Sequence, residues 1–200
     1  MTHSALDRLG PRVQAYLQRR GMRVSFLWGF SEATLFFILP DVAVGAVALF
    51  GWRRGLRATA AAVLGAVVGG VALYLAARWS GPPIRAVLGH VPGVPPSFLP
   101  RVQHDVAEQG GLALFLGPTH GIPYKLYVTE WALTGRSLGS LLGWTVLART
   151  ARIGLFAAVA WTCGRLWRRW CGDDQSGPLL LIYLTGWVLI YVGYFISIGS

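Results

Sequence analysis

Six ionisable side chains stand where the sequence is otherwise hydrocarbon: the acids Glu32, Asp41 and Glu130, and the bases Lys125, Arg149 and Arg152. A charge at the centre of a bilayer costs ~2.5 to 3.5 kcal/mol on insertion scales, so such groups pair with one another or mark a pathway. Arg149 and Arg152 are three residues apart and share one helix face, a spacing that suits either two carboxylates or one phosphate. Arginine fits both tasks because its planar fork donates two parallel bonds and never loses its charge. A carboxyl held away from water, as Glu32 would be, is a candidate proton carrier. His120, between Pro118 and Pro123, and Glu130 are the other groups here able to titrate. A plainer reading makes these charges interhelical salt bridges that fix the bundle, or has Glu130, Arg149 and Lys125 reach the membrane interface from helix ends. That reading suits Glu130 best. Glu32, Asp41 and the arginine pair lie deeper in their apolar runs, which favours a pathway.

The elements that must position them are apolar and long. Of 200 residues, 54% are hydrophobic and 13% charged, with a mean hydropathy of +0.51, too apolar for a soluble domain of this size. Apolar stretches cover residues 24–50, 58–77, 111–134, 138–164 and 179–198, and several reach the ~20 residues that cross a bilayer. The net charge of +10 comes from blocks of arginine beside these stretches. Such blocks are topology signals, so nucleic acid is not an expected partner. Cys163 and Cys171 build no disulfide framework, and His3, His90, His104 and His120 have no metal-ligand spacing. No metal and no cofactor are called for.

Residues 1–23 form a basic arm with five arginines and no apolar core of a signal peptide. Pro11 can start a short helix that sets Val13, Tyr16 and Leu17 against an anionic leaflet; a tail without structure is the alternative. Residues 78–110 hold six of the eleven prolines and form a connector. Within it Pro82 and Pro83 predict a short helix ending near Gly89, and Phe98, Leu99, Val102 and Val106 predict another ending at Gly110. Gly65, Gly69 and Gly70 predict close helix packing.

A faint repeat brackets the connector: "LPDVAVGAVALFG" from Leu39 can be laid over "IPYKLYVTEWALTG" from Ile122. The positive-inside rule sharpens it. If residues 24–50 crossed the bilayer as one helix, the five N-terminal arginines and the cluster Arg53, Arg54 and Arg57 would face opposite compartments. If the run turns at Pro40 and leaves on the side it entered, both are cytoplasmic. Residues 58–77 then cross outward, 111–134 make a second hairpin broken at Pro118 and Pro123, 138–164 cross inward, and 179–198 cross outward again. Proline supports the breaks, since it removes a backbone donor and disfavours helix at the preceding residue, here Leu39 and Ile122. The expected fold is therefore an all-α integral membrane protein. It contains an inverted repeat of two re-entrant helical hairpins, each followed by a transmembrane helix, plus a C-terminal transmembrane helix. Irregular backbone at membrane depth implies a wet cavity.

At "SEATLFFILPDVAV", "PTHGIPYKLYVTEWAL" and "ARTARIGLF" the sequence resembles the DedA family of membrane proteins, the bacterial branch of the VTT-domain (SNARE-associated) superfamily, over residues 22–170. The resemblance implies two re-entrant hairpins and the transport of lipids such as polyprenyl phosphates or phospholipids in the bacterial inner membrane. By motif position it gives Glu32 and Asp41 the part of essential membrane acids, and Arg149 and Arg152 that of essential arginines. There is one departure: many members carry arginines around the second proline motif, where this chain has His120 and Lys125. The expectation is a multi-pass lipid translocator with its N-terminus in the cytoplasm. Arg149, Arg152 and Lys125 would bind a phosphate head group while Glu32 and Asp41 couple protons or balance those cations. Lipids and protons are the expected partners, and a homo-oligomer is compatible with this. The rivals are an intramembrane lipid phosphatase or phosphotransferase, against which stands the lack of a His, Ser and Asp cluster, and a membrane scaffold or assembly factor.

Overall fold

The computed structural model describes residues 5–34, 39–90, 94–95, 97–172 and 176–199. They form nine α-helices and one 3-10 turn, without a strand: α1 (Ala5–Thr34), α2 (Asp41–Ala48), α3 (Trp52–Ser80), α4 (Ile84–Gly89), α5 (Phe98–Gln109), α6 (Gly111–Leu116), the 3-10 turn (Gly117–His120), α7 (Tyr124–Leu133), α8 (Leu138–Cys171) and α9 (Ser176–Gly199). Three of them, at Trp52–Ser80, Leu138–Cys171 and Gly177–Ser197, are long and apolar enough to cross a bilayer. Their outer faces fit that solvent. Leu147, Leu155, Val188, Leu189 and Ile196 are exposed, an apolar surface that a monomer in water rarely carries.

Small residues bring α1 and α3 into contact along their lengths. A side chain on Gly29 would strike the Ala62 backbone, one on Gly65 the backbone of Phe26 and Phe30, and one on Gly69 Ala33. Higher numbers on α1 thus meet higher numbers on α3, and the two helices run parallel. Two successive helices joined by a tight turn would run antiparallel, so the chain must double back between them. It does so through α2, which starts directly after Pro40 and brings Val47 against Gly21 of α1. The far end of α2 is fastened to α8, where Arg168 donates to the Leu49 carbonyl oxygen at 2.6 Å.

A second reversal occurs beyond the connector. In α6, Gly111 lies against Trp144 of α8; Pro118 then opens the 3-10 turn, and Gly121, at φ +80°, turns the chain toward Pro123. From Tyr124, which meets Gly70, α7 runs alongside α3 to Ala132, whose carbonyl accepts from Arg78 at 3.4 Å. α8 opens with Ser137 as its cap, the side chain accepting the Ser140 amide at 3.2 Å. The core divides into two clusters. One gathers α7 with the connector helices and the far half of α3, the other α2 with the near half of α3 and the middle of α8.

Leu39 and Ile122 lie outside helices as predicted, and the connector holds its two short helices. One boundary is corrected. The arm expected to end at residue 23, with a short helix from Pro11, is continuous with the first limb as one helix from Ala5 to Thr34. Pro11 sits near enough to the start to be tolerated, and nothing between it and Thr34 breaks a helix.

Candidate functional site

Glu32, in the last turn of α1, and Asp41, in the first turn of α2, flank the first break. Arg149 and Arg152 approach from α8, each toward one acid. The Arg149 Nη2 atom lies 2.6 Å from Glu32 Oε2, with 3% and 4% of the side chains exposed. The Arg152 Nη2 atom donates to Asp41 Oδ2, also at 2.6 Å, but here the arginine is 19% exposed. The three-residue spacing on α8 therefore serves two carboxylates at once, one of the two outcomes that spacing permits. Asp41 also suits its place for a local reason, since a negative charge at a helix N-terminus is favoured by the helix dipole.

The two pairs differ in quality. Arg152 and Asp41 are aligned as a hydrogen bond, whereas Arg149 and Glu32 touch with the N–H directions missing the carboxylate. As a result Nε, Nη1 and Nη2 of Arg149 have no aligned acceptor among the described residues. The guanidinium instead lies over the Tyr124 ring, 4.3 Å from its centre, and the Tyr124 hydroxyl meets the Thr145 hydroxyl at 2.6 Å. A cation over an aromatic face gains ~0.5 to 2 kcal/mol, which does not replace acceptors for three buried donors. Arg149 is thus a buried cation with hydrogen-bonding capacity to spare.

A cavity of about 120 Å³ opens beside this cluster. Its wall takes Leu39 from the first break and Pro118, Gly121, Ile122 and Pro123 from the second, together with Glu32 and Tyr124. The backbone leading into α2 and into α7 therefore borders the same space, and helix N-termini attract anions. Lys125, fully buried, is in the first turn of α7 within electrostatic reach of Glu32 and Arg149. A lysine at the positive end of a helix is unfavourable by itself, so it too gains from a nearby acid or from an incoming anion. Arg149 and Lys125 do not reach out to the interface from helix ends, as the plainer reading had them.

Two other expected groups lie apart. Glu130 is gripped by Arg85 of α4, whose Nε and Nη2 atoms donate to both carboxylate oxygens at 2.9 to 3.1 Å. It fastens the connector, as the salt-bridge reading held. His120 is exposed, its Nδ1 within 2.9 Å of the Leu116 carbonyl oxygen at the end of the 3-10 turn. Among the described residues no three His, Cys, Asp or Glu side chains gather as metal ligands.

The sequence reading placed a C-terminal membrane helix at 179–198, where α9 lies, but gave its tyrosines no part in the site. Its Tyr191 hydroxyl accepts the Leu39 amide at 2.7 Å, and its Tyr183 hydroxyl donates to the carbonyl oxygens of Asp41 and Val42 at 3.0 Å. The Tyr194 hydroxyl reaches the Gly121 carbonyl oxygen at 3.4 Å. Tyrosines of one helix thus reach the Leu39 amide in the first break, the first two carbonyl oxygens of α2 and the Gly121 carbonyl oxygen in the second break. The signal was present in "YLTGWVLIYVGY", where aromatic residues recur at intervals of four, four and three along one helix face.

No family model, no curated protein and no solved structure matches this chain.

Proposed function

We propose that this protein moves a phosphate-bearing lipid, such as a polyprenyl phosphate or a phospholipid, across the membrane, with the N-terminus and the Arg53, Arg54 and Arg57 cluster at the start of α3 on the cytoplasmic side. The carrying observation is that both chain breaks border one cavity, with Glu32 in its wall and Arg149 directly behind the acid. The two reversals are re-entrant hairpins in inverted repeat. They meet near mid-membrane, where irregular backbone is tolerated only if it lines a wet space or is buried in protein. The resemblance to the DedA family points the same way.

The order of groups suggests the coupling. Glu32 stands between the cavity and Arg149, so an incoming anion meets a carboxylate before it meets the cation. Protonating Glu32 removes that repulsion and frees the guanidinium to take the phosphate by charge-assisted bonds. Returning the proton reseals the pair and expels the head group. Asp41 and Arg152, better aligned and with only the arginine partly exposed, hold α2 against α8 while this happens. The chain itself needs no bond-making step for such a cycle.

The test is lipid flipping in vesicles reconstituted with the purified protein. Glu32→Gln and Arg149→Ala should each abolish it in protein that still folds, and flipping that survives both substitutions would end this reading.

A further inference from the structure

A second hollow lies beside the first. It is an open groove of about 830 Å³ between α9 and the α1–α2 limb, walled by Trp28, Val42, Leu184, Val188, Val192 and Phe195. That volume is in the ~300 to 1,000 Å³ range of small-molecule sites. Its wall is almost wholly hydrocarbon, and its one hydroxyl, on Tyr191, already accepts the Leu39 amide.

The two hollows share a wall. Trp187 and Tyr191 border both the groove and the cavity beside Glu32, and their rings stack with centres 5.8 Å apart and planes at 26°. On one side of this aromatic pair are Glu32, with Arg149 paired to it, and the backbone leading into α2 and α7. On the other is a trough of aliphatic and aromatic side chains. A phosphate-bearing lipid has the same order of parts: an anion, a short junction and a chain.

Resting on the transport reading above, we propose that the groove seats one hydrocarbon chain of that lipid while its head enters the cavity, the head–tail junction passing over Trp187 and Tyr191. α9 is thereby the loading face. The charge at the inner end of the trough argues for this occupant over a second copy of the chain, which would bring apolar surface to the groove but no anion to Arg149. It also separates the groove from the flat apolar surface of α8, where bilayer lipid has no anion site to anchor it.

The test uses the full chain in phosphatidylcholine nanodiscs containing a small share of phosphatidic acid with a diazirine midway along one chain. After photolysis, adducts are mapped by mass spectrometry. Leu184, Val188 and Val192 should be labelled several-fold above the exposed Leu147 and Leu155 of α8. The excess should vanish when the same diazirine is carried on phosphatidylcholine. Filling the trough with Val188→Trp should lower both labelling of Leu184 and flipping in vesicles, whereas Leu155→Trp should change neither. Val192→Phe, with thermal unfolding measured on each variant, replaces Val188→Trp should that protein fail to fold.

Equal labelling of α8 and α9, an excess that ignores the head group, or crosslinks between two copies at Val188 would each overturn the proposal. Loss of flipping in Arg149→Ala would still stand in those cases and preserve the transport reading. Groove-selective, head-group-dependent labelling in a protein that flips nothing would keep the chain site and remove the transport.

Discussion

The Glu32–Arg149 pair can be taken apart in a way that separates a fastening from a pathway. Both side chains are at least 96% buried, so solvent screens little of their attraction. Breaking such a pair by removing one partner costs ~3 to 5 kcal/mol, because the other charge stays buried and alone. Glu32→Gln keeps an acceptor oxygen and leaves Arg149 on the Tyr124 ring, which places the loss near the lower bound, ~3 kcal/mol, or about 150-fold in the folded-to-unfolded ratio. Arg149→Gln strands Glu32 as a buried carboxylate without its counter-charge and should cost more. The double variant buries two neutral amides and should recover to within ~1 kcal/mol of the parent, since an ion pair and its neutral replacement differ little in net stability. Denaturant titration in detergent micelles measures the stabilities, and quenching of a fluorescent phosphatidic acid in vesicles measures flipping. The double variant is expected to fold and to flip no lipid. If it flips at the parent's rate, the pair only fastens α1 to α8 and the cavity is not a route.

Other perturbations probe the elements around that pair. Single cysteines at Arg20 and Arg54, in a background with Cys163 and Cys171 replaced, should react with an impermeant reagent from one and the same side; reaction from opposite sides would remove the first hairpin. Gly65→Val places a branched side chain on the Phe26 and Phe30 backbone and should destabilise the fold by ~1 to 3 kcal/mol or more, measured by the same denaturant titration. Tyr191→Phe removes the acceptor of the Leu39 amide, a loss of ~1 kcal/mol that should appear as faster hydrogen exchange at Leu39 with little change elsewhere. Arg85→Ala leaves Glu130 in the connector without its bidentate partner; stability should fall while the flipping rate per folded molecule holds, and a lost rate would draw Glu130 into the pathway.

How much of this could be read from the sequence depends on the range of the signal. Pro40 and Pro123 act on the residues beside them, so the non-helical points at Leu39 and Ile122 were visible. The short connector helices were visible for the same reason, being bounded by proline and glycine. The join of the basic arm to the first limb was not, because a helix can continue through a proline in its early turns and only the absence of a later breaker decides. Pairing was also out of reach. Glu32 and Arg149 are 117 residues apart, and an i, i+3 arginine pair fits one phosphate as well as two acids. The tyrosines of α9 escaped notice because aromatic residues are expected on any membrane helix, and only tertiary contact distinguishes Tyr191 on the Leu39 amide from a ring at the lipid boundary.

The shortness of two helices has an electrical consequence. With eight and ten residues, α2 and α7 span only ~12 and ~15 Å at 1.5 Å per residue, against a hydrocarbon layer of ~30 Å. On the transport proposed above, with such half-length limbs facing each other, the membrane voltage would fall over a thin septum at Glu32 and Arg149 instead of over the whole bilayer. An anion passing that septum would cross most of the field in one step, about 2.3 kcal/mol per charge for each 100 mV, so that reading predicts that an imposed potential sets the direction of transport.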